Sequence, residues 1–328
     1  MKAILCKTYG PPESLVIEDI ASPKPAKGQV VISVKACGVN FPDTLIIQNK
    51  YQVKPPLPFS PGSEIAGIVK ELGEGVDHVQ VGDRVIVFTG WGGFAEEVVV
   101  DASHLILMPE AMDFASASAF VLTYGTSHYA LKDRAQLKPG ETLLVLGAAG
   151  GVGLAAIQIG KVMGARVIAA ASTDEKLAVC KQQGANEVIN YTNEDLKERV
   201  KDLTGGNGVD VVFDPVGGDY SEAALRGMAW GGRYLVIGFA AGNIPRIPLN
   251  LPLLKGCSIV GVFWGSFTAR NPKRNQEHLA ELLTWFTSGK IHPVISATYP
   301  LDRAANALND MLNRKVTGKV VLLIEDRK

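Results

Sequence analysis

Gly140–Lys161 reads GETLLVLGAAGGVGLAAIQIGK. Thr142–Leu146 is a short apolar run of β-formers, the pattern of a strand buried on both faces of a parallel sheet. Ala148-Ala149-Gly150-Gly151-Val152-Gly153 follows, and a helical pattern runs from Val152 to Met163. Strand, glycine turn and helix in that order form a phosphate cradle. Glycines let the backbone approach a pyrophosphate, and the helix start offers unbonded N–H groups at the positive end of its dipole. Ala149, Gly150, Gly151 and Val152 are the expected contacts. The competing reading is a membrane span, because Thr142 to Gly160 carries no charge. Gly147, Gly150, Gly151 and Gly153 interrupt that run beside a strand-like half, which argues against one continuous helix.

Outward from this unit the pattern repeats. Strands are expected at Arg166–Ala171, Glu187–Ile189, Val209–Phe213, Arg233–Ile237 and Ser258–Val262. Helical patterns at Asp174–Gln183, Glu194–Leu203 and Tyr220–Met228 separate most of them. Alternation of this kind predicts a doubly wound parallel sheet, hence an α/β fold. The preceding 120 or so residues read differently. Val30–Ala36, Ile65–Leu72 and Arg84–Phe88 are short strands amid dense turn signals such as Pro23-Lys24-Pro25, Pro61-Gly62 and Gly82-Asp83. Their spacing suits a compact, partly open barrel. After the sheet come an amphipathic helix at Gln276–Thr287, a strand near Ala297, a helix near Asp302–Asn313 and a last strand, Lys319–Ile324.

The chain has 328 residues, enough for two ordinary domains, and 33 basic against 33 acidic residues. That balance favours neither nucleic acid nor an acidic membrane as partner, and Arg270–Arg274 is the one basic cluster. Cys6, Cys37, Cys180 and Cys257 lie far apart with no CxxC pair, against a disulfide framework or a structural zinc lobe. The opening MKAILCKTYGPPE has too short an apolar run for a signal peptide. A reducing, cytoplasmic setting is expected.

The string from Gly140 to Lys161 resembles the signature of the zinc-independent quinone oxidoreductase and zeta-crystallin branch of the medium-chain dehydrogenase/reductases. GVNFPDTL, PGSEIAG and VGDRV resemble the GroES-like catalytic domain of that family. The resemblance implies a GroES-like domain over 1–122, completed by about 266–328, and a Rossmann domain over 123–265. It also implies a homodimer through the Rossmann sheet edge, where Ser258–Val262 is an apolar edge strand.

The nucleotide follows from the second Rossmann strand. NAD-preferring units place a carboxylate after it. Here Ala169-Ala170-Ala171 leads into Ser172, a small hydroxyl able to donate to a 2′-phosphate, and Lys176 lies one turn on. Both point to NADPH, and in relatives Tyr191 is a further phosphate contact. Each has a plainer alternative: Ser172 with Glu175 forms a capping box, Asp174 and Glu175 suit a helix start, and Lys176 is a surface lysine.

The resemblance also frames the chemistry. Zinc-dependent relatives carry a cysteine and a Gly-His-Glu motif where this chain has Asn40 and Gly62-Ser63-Glu64. Cys37 reads as core packing, and the histidines show no ligand grouping, so no metal is expected. Without a Lewis acid, hydride transfer is easiest to acceptors that already delocalise charge, namely quinones and other conjugated carbonyls. The resemblance places Asn40 close to the nicotinamide, to orient it or to donate to a substrate oxygen. Asp43 and Tyr51 match cleft positions, with a helix cap and packing as their alternatives. Leu45 replaces a tyrosine found in some quinone reductases. Thr126 is expected near the nicotinamide ribose, and Phe239 and Phe263 at the carboxyl edge of the sheet. Two other readings stay open: an enoyl or 2-alkenal reductase saturating a C=C bond, and an NADPH-binding protein without turnover.

Overall fold

The computed structural model describes residues 1–325. The chain divides into two compact units, one of 1–122 with 293–328 and the other of 123–292. In the second unit six parallel strands lie in the order Glu187–Asn190, Arg166–Ala171, Thr142–Val145, Val209–Asp214, Met228–Val236 and Ser258–Gly261. This is the doubly wound order, with its reversal next to Thr142–Val145. The inner strands are buried along almost their whole length, as sheets covered on both faces require. The helix after the glycine turn, Gly151–Val162, has 12 residues. No helix among the described residues is long and apolar enough to cross a membrane.

The first unit carries a mixed seven-stranded sheet. Its backbone order is Ile295–Pro300, Lys319–Leu323, Gln29–Val39, Glu64–Leu72, Arg84–Phe88 and Ile106–Leu107, and Glu97–Asp101 also pairs with Gln29–Val39. A two-stranded ribbon, Lys2–Leu5 with Val16–Asp19, accompanies it. Ile32, Ile47, Ile65, Val85 and Phe94 fill the interior, and Leu308 and Leu322 from the C-terminal segment join them.

Residues 266–292, expected with the first unit, lie in the second. Side-chain packing supplies the reason. Helix Pro272–Thr287 brings His278 to 4.5 Å from His128, ring to ring, and Trp285 to 5.4 Å from the same histidine. Glu281 accepts from His128 Nε2 at 2.8 Å and also from Lys132. Arg274 pairs with Asp133 at 3.1 Å and with Glu277 at 2.8 Å, and Asp133 lies 3.3 Å from His278 Nε2. Phe267 stacks on Tyr129 at 4.1 Å.

His128 and His278 are almost fully buried. Burial, with the neighbouring His278, pushes His128 down to about 4, although Glu281 opposes this. Burial likewise lowers His278. A histidine whose folded value is depressed contributes stability above its unfolded value, lost as pH falls through the window below it. Between pH 6.5 and 4 the wild-type protein is therefore expected to lose up to about 3 kcal/mol that H128Q keeps. Urea unfolding of both proteins at several pH values checks this; parallel pH profiles would contradict it.

Candidate active site

Three neighbouring strands of the first unit end together. Antiparallel register pairs Val320 with Val39 and Gly38 with Glu64, so Asn40, Glu64 and Lys319 arrive at one end of the sheet. All three are buried. Lys319 Nζ donates to Asn40 Oδ1 at 2.5 Å, to Glu64 Oε2 at 3.1 Å and to the Val39 carbonyl at 3.3 Å. An ammonium has three donors and no acceptor, so the amide atom facing it must be oxygen. Asn40 Nδ2 then donates to Glu64 Oε2 at 3.2 Å and to the Gly38 carbonyl at 3.3 Å. With both N–H groups engaged, the amide offers a ligand its remaining Oδ1 lone pair: an acceptor, not a donor. Glu64 Oε1 accepts in addition from the Leu122 N–H at 2.9 Å.

Asn40 precedes the short helix Phe41–Ile46, and Asp43 is its third residue. The Asn40 N–H donates to Asp43 Oδ2 at 2.7 Å, and the Gly62 N–H reaches Oδ1 at 3.3 Å. The carboxylate thus ties the helix start to the loop before the Glu64 strand, which is the capping alternative. Burial pushes Asp43 up to about 7, opposed by the Asn40 bond, the Lys319 charge and the Gly62 bond. Tyr51 is half-buried and packs against the first unit's core. Burial, then the nearby Asp43, raises its hydroxyl. Gly62 has φ +86°, and an added Cβ would sit 2.3 Å from the Phe94 ring, so only glycine fits this peptide.

Cys37 is fully buried within the core, its Sγ 3.8 Å from the Gly38 carbonyl, and burial pushes its thiol well up. No three His, Cys, Asp or Glu side chains gather in a group able to hold a metal ion among the described residues. Where zinc-dependent relatives need ligands, this donor set is committed elsewhere: Glu64 to an ammonium and a backbone N–H, Asn40 to Glu64. It does not fit zinc. Ser63 is 4% exposed, and its Oγ finds no hydrogen-bond partner among the described residues.

In the second unit, Gly150 stands extended before its helix, which no side chain caps. The first N–H groups of that helix have no partner within it. Gly153 is tight against the turn: a Cβ there would lie 2.6 Å from the Gly147 carbonyl oxygen and 2.7 Å from that of Ala148. Ala149 is buried, whereas Gly150, Gly151 and Val152 are half-exposed. This cradle fits a pyrophosphate on both counts. Thr126 is half-buried on helix Val121–His128.

After strand Arg166–Ala171 the helix cap is Thr173, which accepts from the Lys176 N–H at 3.3 Å. The Ser172–Glu175 capping box does not form, because Ser172 lies one residue too early. Asp174 accepts from Asn190 Nδ2 at 2.7 Å, which engages it at the helix start. Lys176 and Tyr191 are half-buried, and the Tyr191 ring lies 4.3 Å from that of Tyr220. Phe239 and Phe263 follow their strands at the carboxyl edge and are exposed by 38% and 56%. Trp264 instead is buried against Gly125, where a Cβ would come within 2.7 Å of its ring.

Lys319 is a site residue that no local signal announces, and Glu64 stands in the PGSEIAG motif with nothing there to name its partner. Their partners lie up to 280 residues away in sequence. Gln158, within the opening string, accepts from Tyr124 Oη and the His292 N–H and donates to the His292 carbonyl and Gln183. It holds the two ends of the second unit rather than a ligand.

These two units define a medium-chain dehydrogenase/reductase. Residues 26–110 match the alcohol dehydrogenase GroES-like domain, and residues 151–286 match the zinc-binding dehydrogenase family. The quinone oxidoreductase-like protein 2 homolog of Nematostella vectensis is 42% identical over 98% of this chain and 88% of its own. The quinone oxidoreductase of Sus scrofa is 37% identical over 99% of this chain and 98% of its own. Escherichia coli quinone oxidoreductase, solved in complex with NADPH, superposes with a TM-score of 0.91 at 32% identity, covering 98% and 100% of the two chains. The chain belongs to the quinone oxidoreductase family.

Removing Lys319 leaves Glu64 buried without its countercharge. K319M is expected to destabilise the protein by about 3–5 kcal/mol, and the neutral double variant K319M/E64Q to recover most of that loss. Chemical unfolding of the three proteins tests this. Equal losses in the single and double variants would show that the ion pair is not what Lys319 supplies.

Proposed function

We propose that this chain is a zinc-independent, NADPH-dependent reductase of quinones or other conjugated carbonyls. The observation that carries this reading is the buried Lys319 ammonium bonded to Asn40 and Glu64. It gives the first unit a site organised around a fixed positive charge, where among the described residues no three His, Cys, Asp or Glu side chains gather to hold a metal ion. When bound, NADPH supplies a hydride; the acceptor takes it, and a solvent proton completes the reduction. The residues assigned to the cofactor do simpler things. The N–H groups of Gly150, Gly151 and Val152 bind the pyrophosphate, beside Ala149. Ser172 donates to the 2′-phosphate, Lys176 supplies its countercharge and Tyr191 adds a contact. Asn40 is assigned to orient the nicotinamide and Thr126 to its ribose, and Phe239 and Phe263 are assigned to the cofactor from the carboxyl edge of the sheet. Asp43 and Tyr51 shape the acceptor side, Asp43 by holding the Asn40 backbone.

Four free cysteines suit a reducing compartment, the cytoplasm. A homodimer is the second part of the proposal. Ser258–Gly261 ends its sheet with Ile259 exposed. Nearby Trp230, Leu249, Leu253 and Leu254 are each exposed by 68% or more. Apolar surface of this kind beside an open edge invites a second copy.

Stopped-flow measurement of NADPH oxidation with a simple quinone, a 2-alkenal and an enoyl thioester tests the activity. Turnover of the quinone is expected, with K176A raising KM for NADPH about tenfold and leaving that for NADH unchanged. Turnover of the thioester alone would replace the quinone reading with the enoyl one, and binding without turnover would leave a nucleotide-binding protein. Sedimentation tests the assembly. The wild-type protein is expected to run as a dimer and L253R/L254R as a monomer; a monomeric wild type would refute the dimer.

A further inference from the structure

In the second unit, strand Arg166–Ala171 and its outer neighbour Glu187–Asn190 are clasped together just beyond their carboxyl ends. Register sets Asn190 beside Ala171, one residue before Ser172. Asn190 is buried, and its backbone is held on both sides: the N–H donates to Glu194 Oε2 at 2.8 Å, and the carbonyl accepts from Asn193 and Glu194. Its Oδ1 accepts from the Thr192 N–H at 3.2 Å, which fixes the side of the amide that carries the donors. Nδ2 then donates to Asp174 Oδ1 at 2.7 Å. Thr192 Oγ1 donates to the Ser172 carbonyl at 3.0 Å, and the Tyr191 N–H to the Ala171 carbonyl at 3.2 Å. The clasp lies open to solvent, with Thr173, Asp174 and Thr192 exposed.

Asp174 is the group that this edge has to control. A carboxylate after the second Rossmann strand takes ribose hydroxyls in NAD-preferring units, and the same charge repels a 2′-phosphate. Asp174 follows Ser172 by only two residues and opens helix Asp174–Gln182, where the dipole favours negative charge. Glu175 beside it is bonded to its own N–H and to the Thr173 hydroxyl. The Asn190 amide holds Asp174 by a hydrogen bond to a charged acceptor, a strong kind, and adds no charge of its own. We propose that Asn190 is a positioning residue for cofactor choice: its amide ties the Asp174 carboxylate to the outer strand and so leaves the 2′-phosphate to Ser172 and Lys176. The inference rests on the NADPH reading of those two residues. Released from Asn190, Asp174 accepts from the ribose hydroxyls and repels the phosphate. The edge thus sets its preference twice, by a hydroxyl directly after the strand and by a tether on the nearest acid.

Calorimetric titration of the full chain gives Kd for NADPH and for NADH without any turnover. N190A is expected to raise Kd for NADPH roughly tenfold, the effect of one repelling charge near a protein surface, and to leave Kd for NADH equal or lower. D174A/N190A is expected to return Kd for NADPH to within about threefold of the wild type, since no carboxylate remains to be released. D174A alone should move the ratio of the two Kd values by less than about threefold, because the charge it removes is already tied away. Weakening of both nucleotides alike in N190A would overturn the proposal, by showing that Asn190 serves only the strand end. Unchanged binding in N190A, or a double variant as weak as N190A, would overturn it too. Should N190A fail to fold, D174A decides: NADPH bound about tenfold tighter or more would mean that Asp174 acts on the phosphate in spite of Asn190. A wild-type protein that binds NADPH no better than NADH would end the NADPH reading before any variant is made, and this assignment with it.

Discussion

The buried contact of Lys319 with Asn40 and Glu64 is the constraint on which the first unit depends. Two ionic groups almost out of water are tolerable only if every donor and acceptor is met. Here three ammonium protons, the Asn40 amide and both Glu64 oxygens have partners, and one of those partners is the Leu122 N–H at the unit's last residue before the chain leaves it. The same contacts set the polarity of the Asn40 amide. A charge pair that organises structure thus also decides what hydrogen bond the site can offer.

The second unit shows the opposite economy. Its cradle is made of what is missing: no side chain before the helix Gly151–Val162, and no room for a Cβ at Gly153. Polar side chains hold the perimeter instead. Asp214 gathers the N–H groups of Val216 and Gly217 and the hydroxyls of Ser221 and Tyr234. Gln158 spends its whole hydrogen-bonding capacity on Tyr124, Gln183 and His292.

Much of this was legible in the residues. The glycine turn and the alternation around it predict the parallel sheet, since continuous apolar runs and 3.6-residue periods are local signals. Strand limits in that sheet agree to within a residue or two, except that Met228–Val236 begins five residues before the expected Arg233; in the first unit Gln29–Val39 runs three residues past the expected Ala36. The helix before Met228 stops at Arg226, at Gly227. What stayed hidden depends on distant partners. Nothing around His128 says that a helix beyond residue 270 will cover it, so the domain limit was misplaced there. Nothing around Lys319 points to Asn40. Ser172 and Thr173 are equally good caps on paper, and the backbone decides between them.

Pairing of Lys319–Leu323 with Gln29–Val39 bears on the order in which the molecule is made. Ribosomes release a chain from its N-terminus, and domains condense as they emerge. The second unit is continuous from 123 to 292, so all its strands are available well before the last residues appear. The first unit must wait with Glu64 lacking a countercharge until Lys319 has left the exit tunnel. Vectorial synthesis therefore favours a nascent protein whose middle is folded while its beginning is still unfinished, and a ribosome stalled late in the message would strand it in that form.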